Sequence, residues 1–297
     1  RFQTMLTRLL NDGELGAIRE RLVDPHLGNV ERETNLAQFQ VHPLRVMLQE
    51  RLQRELEEDA DVNDAAWVVT DPQGLVLARA PQVQAFDGVG VNLGWHSLFH
   101  GQSKSYPPDW RPGPDKHLRA TGLSSVFRSP HGNHWRVAVS SPISAEESED
   151  NPFHFLGVVA KEINVNRLAN FPESEEVKAV LIDMREGDNS GLIIQHPLFV
   201  EAHKREGEAS DKDLLDRAQP LRLAPDQLPD KIEIRKHYRD PLGSLQEGKL
   251  YDTHWLADWR PVSIRDGNTG WVVIVQEAYE TAIGRTLSRL KSTLWSY

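Results

Sequence analysis

The sequence predicts an α+β chain in which a long N-terminal helix leads into two mostly antiparallel-sheet units, closed by a C-terminal helix. The first observation is an internal repeat: His134-Trp135, Pro142-Ile143 and Gly157-Val158-Val159 return in order as His254-Trp255, Pro261-Val262 and Gly270-Trp271-Val272-Val273. Upstream of each copy an apolar run enters an Asp and a turn, Trp67 to Asp71 through Gly74-Leu75-Val76-Leu77, then Val180 to Asp183 through Gly191-Leu192-Ile193-Ile194. A repeat longer than the solenoid periods of about 20 to 50 residues means two related domains, not an array. The second observation is a change at Trp67 from helical periodicity to short β-branched runs. The third is size: 297 residues, 39% apolar and 26% charged, leave room for two ordinary globular cores.

Residues 1–64 read as a helical stalk. Leu44, Met47, Leu48, Leu52 and Leu56 recur at helical spacing with charged residues between them, which gives one apolar stripe. Pro25 and Pro43 kink or restart the helix, because proline lacks the N–H and clashes with the preceding turn. Asp59 to Asp64 form a polar turn.

The first sheet unit is expected over 65–170. Trp67-Val68-Val69, Leu75-Val76-Leu77, Trp135 to Ser141 and Leu156 to Ala160 are bounded by Gly, Pro, Asn and Asp, the pattern of antiparallel strands joined by turns. Gln102 to Asp115 is a proline-rich loop whose Tyr106 and Trp110 need something to cover. The second unit is expected over 171–278, with a helical piece at Asp211 to Ala218. The last helix, 279–297, carries Ile283, Leu287, Leu290 and Leu294 at steps of four, three and four. That stripe suits either packing on its own domain or onward transmission to a further helix.

Charge and motifs exclude several classes. A formal net charge of -10 argues against a nucleic-acid or anionic-membrane surface. Apolar runs such as Trp271 to Val275 fall far short of the roughly 20 residues that span a bilayer. The chain opens at Arg1 with no leader pattern, so it reads as a fragment of a longer protein. With no cysteine there are no disulfides or thiolate sites.

Enzyme signatures fail one by one. His96 and His100 stand at zinc-ligand spacing, but Ser97 replaces the glutamate of H-E-x-x-H. Asp59, Asp61 and Asn63 begin like a calcium loop, yet Asp64 and Thr70 replace its glycine and closing glutamate. Gly88, Gly90 and Gly94 have the wrong last interval for a dinucleotide fingerprint, and the nucleophile-elbow, phosphate-loop and kinase motifs are absent. No catalysis, cofactor or metal is expected in this chain.

The order of elements resembles the double Cache domain, the tandem PAS-like sensor that bacterial receptors place outside the membrane. The resemblance is carried by Trp67 to Pro81, Gly94 to Gly101, and Phe127 to Ile143 with Gly157 to Ile163 in the first unit. In the second it is carried by Trp255 to Val262 with Gly270 to Ala282. The stretch Trp95-His96-Ser97-Leu98-Phe99-His100-Gly101, its proline-rich loop and His117-Leu118 are most similar to sensors of receptor serine/threonine kinases. The resemblance implies two PAS-like (Cache) subdomains, membrane-distal then membrane-proximal, in the extracytoplasmic part of a cell-membrane protein. Membrane spans and an output domain, a kinase or chemoreceptor module, would lie outside this sequence. It also implies a small-molecule ligand in the distal unit, a signal passed through the C-terminal helix, and a homodimer formed by the N-terminal helix, unless the Leu44 to Leu56 stripe is spent on the chain's own core.

The amino-acid-sensing branch holds the ligand carboxylate with an Arg and a Trp at the pocket helix and the amine with an Asp on the last strand. The matching positions here are His96 and Leu98, then Phe127 and Ser129 on the strand, then Glu162. Only Glu162 keeps the expected chemistry, and no guanidinium fork replaces the missing Arg. The implied pocket is bordered by Trp95, His96, Phe99, His100, Phe127, Ser129, Trp135 and Glu162, and suits an amine, carboxylate, amino acid or heterocycle. Trp95 and Trp135 read as core or loop-packing aromatics before ligand platforms. Glu162 has a second reading as a partner of Lys161 or Arg128. The competing functional class is a self-contained soluble hydrolase or substrate-binding protein without a recognised motif.

Overall fold

A computed structural model of the chain describes residues 2–58, 65–81, 88–128, 135–145, 154–165, 176–187, 189–204, 221–228, 238–264 and 267–295. The polar turn at Asp59 to Asp64 and the helical piece at Asp211 to Ala218 lie outside these residues. The chain divides into two compact units, Arg1–Phe127 with Arg136–Asn164, and Arg128–Trp135 with Val165–Tyr297.

The N-terminal region departs from the single long helix. It forms four helices, α1 (Phe2–Leu10), α2 (Gly13–Val23), α3 (Asn29–Val41) and α4 (Pro43–Glu58). The breaks follow local chemistry. Asp12 caps α2 by accepting the Leu15 N–H at 2.9 Å, Gly28 precedes α3, and Pro43 opens α4 where its missing N–H does no harm. Leu6, Leu9, Leu15, Leu22, Phe39, Leu48 and Leu52 are buried in one core with Val69, Ala78 and Ala80. Leu48 and Leu52 of the apolar stripe are therefore spent inside the first unit, with Leu44 and Leu56 partly buried against it, while Met47 is exposed.

The first sheet has strand order β2-β1-β6-β5-β3, with β4 also on β5. Its strands are β1 (Ala66–Thr70), β2 (Val76–Ala80), β3 (Gly122–Leu123), β4 (Phe127–Arg128), β5 (Trp135–Ser144) and β6 (Phe155–Asn164), with the short helix α5 (Ser97–His100) between β2 and β3. The Gln49 side chain of α4 closes the open backbone of β2, donating to Arg79 O at 2.6 Å and accepting from Arg79 N at 3.1 Å. An edge strand satisfied in this way is shielded from pairing with another chain.

The second sheet has order β8-β7-β10-β9, from β7 (Val177–Asp183), β8 (Leu192–Gln195), β9 (Trp255–Ile264) and β10 (Gly267–Ala278). Helix α6 (Pro197–Lys204) follows β8, and α7 (Tyr279–Trp295) continues from β10. Ile283, Leu287 and Leu290 on α7 are exposed.

Registers make the repeat concrete. In the first sheet Val69 pairs with Ala78 and Val159, and the register slips between Val69 and Thr70; in the second Leu181 pairs with Gln195 and Val273, and slips between Leu181 and Ile182. The same bulge sits at the same place. Pro142 faces Val158 as Pro261 faces Val272, so these prolines are true equivalents. The tryptophans are not: Ala278 faces Trp255, whereas its counterpart Asn164 faces Arg136. Trp135 and Trp255 are one residue out of phase, and a one-residue slip puts a side chain on the opposite face.

The shared Asp anchors both turns. Asp71 Oδ1 accepts from the N–H groups of Gln73 and Leu75 at 2.8 and 2.9 Å while Arg19 donates to Oδ2 at 2.8 Å; Asp183 accepts from Arg185 through both backbone and guanidinium. At the bulge facing Asp71, Gly157 has φ +146°, and a Cβ there would stand 1.9 Å from Thr70 O, so only glycine fits. Because Phe39 is wholly buried between the helices and the sheet, Phe39→Ala should lower unfolding free energy by about 3 to 5 kcal/mol in urea titrations. A detached stalk would instead show almost no loss.

Candidate functional site

Helix α5 covers one face of the first sheet. Its Leu98 and Phe99 pack with Leu118 on Ala138, Val158 and Ala160. The sequence makes this short helix by capping both ends. The His96 ring accepts the Leu98 N–H on Nδ1 at 3.2 Å, and Gly101, at φ +73°, donates its N–H to Ser97 O at 2.8 Å. With Nδ1 accepting, the ring proton of neutral His96 sits on Nε2. The ring stands edge-on to Trp95 and Phe127, with centroids 5.3 and 4.6 Å away. Burial drives the His96 pKa down to about 4, and the neighbouring His100 adds to the shift.

His100 is fixed at both nitrogens. Nδ1 accepts the Gln102 N–H at 3.2 Å, and Nε2 donates to Trp95 O at 3.1 Å. Burial lowers its pKa, and the bond to Trp95 opposes that. Tyr106 and Trp110, stacked on each other at 4.3 Å, pack against its ring. The proline-rich loop thus covers His100. Ser97 Oγ meets Ser125 Oγ at 2.6 Å and accepts the Ser125 N–H at 2.9 Å, which ties the segment between β3 and β4 to the first turn of α5.

The sheet itself carries a buried ion pair. Glu162 on β6 pairs with Ala66 and Ala138, and Arg79 on β2 pairs with Val68, which pairs in turn with Ala160. Cross-strand partners share a face, so Arg79 and Glu162 both lie on the face that α5 covers. Arg79 Nη2 donates to Glu162 Oε2 at 2.6 Å, with side chains 13% and 3% exposed. Removing two charges from water costs several kcal/mol per ion, which their attraction only about repays. A pair of this kind is therefore weakly justified by stability alone.

Seven of the eight predicted residues lie among those described, and they sit in several local contacts. Trp95, His96 and Phe127 are in mutual contact through His96, and His100 belongs to the loop cluster. Phe99 is a wholly buried core residue whose ring centroid is 5.9 Å from that of Phe155. Trp135 lies under the Arg128 guanidinium at 5.5 Å, a packing contact. Ser129 lies outside the described residues. Glu162 is buried on the expected face with Arg79, a partner that sequence reasoning missed. Lys161 sits over the Trp67 ring at 5.5 Å.

The second unit holds a cluster that was also missed. By register, Glu162 corresponds to Gln276, and His196 directly follows Gln195, the counterpart of Ala78 at the end of β8. Both side chains donate to Asp240 Oδ2, His196 through Nε2 at 3.0 Å and Gln276 through Nε2 at 2.5 Å, while Asp240 Oδ1 accepts the Leu242 N–H at 2.9 Å. His196 Nδ1 accepts the Leu198 N–H at 3.0 Å, so this ring caps α6 as His96 caps α5. Burial raises the Asp240 pKa, but the adjacent imidazole and the three hydrogen bonds more than offset it and hold the carboxyl below its usual range. Burial first, then the Asp240 charge, pushes the Tyr238 phenol far up. The available signal was the phrase His96-Ser97-Leu98-Phe99 returning as His196-Pro197-Leu198-Phe199.

Among the described residues no group of three or more His, Asp or Glu is arranged to hold a metal ion, and no helix is long and apolar enough to cross a membrane. An open groove of about 730 Å3 in the helical layer, lined by Arg8, Asp12, Gln38 and His42 among others, shares no residue with either cluster.

No protein-family profile matches the chain, and no curated protein does. Similar solved structures include the sensor domain of the V. cholerae histidine kinase DctB, with TM-score 0.45 and 12% identity over 93% of this chain and 95% of that one. The ligand-binding domain of the Pseudomonas aeruginosa amino acid chemoreceptor PctB, in complex with L-Arg, has TM-score 0.38 and 15% identity over 90% and 85%. The ligand-binding domain of Mlp24 with asparagine has 0.41 and 11% over 95% and 98%.

The depressed His96 pKa makes a pH prediction. Folded His96 resists protonation down to about pH 4 while the unfolded ring protonates near 6.5, so the unfolded state binds more protons between those values. Stability should fall as pH drops through that window, by roughly 3 kcal/mol in total, and level off below it. His96→Asn, which keeps a capping oxygen, should remove most of this slope in melting curves from pH 4 to 7.

Proposed function

We propose that this chain is the small-molecule-sensing part of a transmembrane signalling receptor, with its ligand bound in the first unit on the sheet face beneath α5. The observation that supports this most is the Arg79–Glu162 pair, buried on that face beside a helix capped by His96. The pair adds little net stability yet keeps one cation and one anion ready in a low-dielectric setting. A ligand amine competes with Arg79 for Glu162, and a ligand carboxylate competes with Glu162 for Arg79. His96 and Phe127 supply the aromatic border. Small amines, carboxylates, amino acids and heterocycles fit this chemistry.

In this reading the chain itself does no catalysis. It lies outside the cytoplasmic membrane, between spans carried elsewhere in the full-length protein, and ligand binding biases α7, which continues directly from the last strand of the second sheet. A ligand does so only through its differential affinity for the two helix arrangements. The resemblance of Trp95 to Gly101 and His117-Leu118 favours a serine/threonine kinase as the output over a histidine kinase or chemoreceptor, in a receptor that works as a homodimer.

A thermal-shift screen of amino acids, amines, purines and short carboxylates tests the reading. A true ligand at 100 times its dissociation constant stabilises the fold by about 2.7 kcal/mol. Glu162→Gln and Phe127→Ala should each abolish that shift while the protein still melts cooperatively. A shift that survives both substitutions places the ligand elsewhere.

A further inference from the structure

The two copies meet the same buried demand differently. In the first, two sheet positions hold a donor and an acceptor, Arg79 and Glu162, which bond to each other at 2.6 Å. In the second, Gln276 on β10 takes the place of Glu162, and His196, which directly follows β8, supplies the other side chain; both donate. Two inward donors require a third group that accepts. That acceptor is Asp240, which reaches the sheet from the loop before β9 and also takes the Leu242 N–H. The site is dry: the His196 and Asp240 side chains are 0% and 1% exposed, and Gln276 is 0% exposed. Tyr251 closes it with its ring centroid 4.5 Å from that of His196.

We propose that Asp240 is a built-in ligand, whose carboxylate fills in the second unit a binding site for a small monocarboxylate defined by His196, Gln276 and the Leu242 N–H. Several observations converge on it. A carboxylate receiving an imidazole N–H, an amide N–H and a backbone N–H in a closed apolar setting has the donor set of a bound small acid. The part of Asp240 that occupies the site, a methylene and a carboxylate, has the size and charge of acetate. The surrounding donors are also organised without it: His196 is oriented by its Nδ1 bond to Leu198, and Gln276 stands on a continuous strand. The second unit is thus held closed by its own side chain and takes no small acid while Asp240 is in place. As a consequence, this site of the second unit does not respond to a diffusible small acid.

Acetate rescue tests this. Asp240→Gly removes the side chain and leaves an acetate-sized space, so its melting temperature should fall well below wild type. Sodium acetate should then raise it by several degrees over sodium chloride at equal ionic strength. Wild type and Asp240→Asn, whose site stays filled, should gain less from acetate than the glycine variant. If the glycine variant does not fold unaided, its refolding yield in acetate against chloride reads the same rescue. In wild type, the His196 imidazole resonances should not move when acetate is added. Equal behaviour of Asp240→Gly in acetate and chloride, by melting or by refolding yield, overturns the proposal, as does acetate-dependent movement of His196 in wild type. The proposal stands apart from the first-unit sensing reading. An acetate bound in the first unit would act on all three proteins alike, so rescue is read as the gain of Asp240→Gly over wild type, and its failure leaves the first-unit reading to the thermal-shift screen.

Discussion

Burying a carboxylate costs several kcal/mol unless donors converge on it, and each unit of this protein buries one at the matching position of its sheet's central strand, Glu162 itself in the first and beside Gln276 in the second. In the first the acid belongs to the sheet, Glu162, and the edge strand supplies the cation. In the second the acid belongs to a loop, Asp240, and Gln276 and His196 supply the donors. Much of the surrounding architecture serves these arrangements. Gln49 pins the backbone of Arg79 so that its side chain starts from a fixed place. His196 uses one nitrogen to begin α6 and the other to hold Asp240, which couples the covering helix to the sheet.

The frame that positions these groups depends on the strand-end aspartates and the matched bulges. Asp71 and Asp183 each turn the chain after the first strand of a sheet, and each is neutralised by an arginine, Arg19 from α2 in one case and the local Arg185 in the other. The long-range choice in the first unit fastens a helix to the sheet. This explains why the N-terminal helices are part of the first core and not a separate stalk. Gly157, which no other residue can replace beside Thr70 O, lets β6 approach the turn closely enough to carry Glu162 into register with Ala66 and Ala138.

Strands around Trp67, Leu75, Trp135 and Leu156, the closing helix and the covering role of Tyr106 and Trp110 were all legible in the sequence, because each follows from local periodicity or composition. The buried pairs were not. Arg79 and Glu162 are 83 residues apart, His196 and Asp240 are 44 apart, and Gln276 and Asp240 are 36 apart. Nothing local marks such partners; they meet only once strand order and register are set. The tryptophan phrase misled for a related reason, since Pro142 stands seven positions after Trp135 but Pro261 only six after Trp255, and a period of two turns that difference into opposite faces. Helix number was misjudged because an amphipathic stripe does not reveal whether its breaks bend one helix or separate several.

The central claim is that the first unit keeps Arg79 and Glu162 together for binding and not for stability. A double-mutant cycle with Arg79→Met and Glu162→Leu measures this by urea unfolding. Each single change should cost about 3 to 5 kcal/mol, because it removes one partner of a buried ion pair, while the double variant should return close to wild-type stability. A double variant that loses the sum of the two single costs would contradict it, and would make the pair a structural brace.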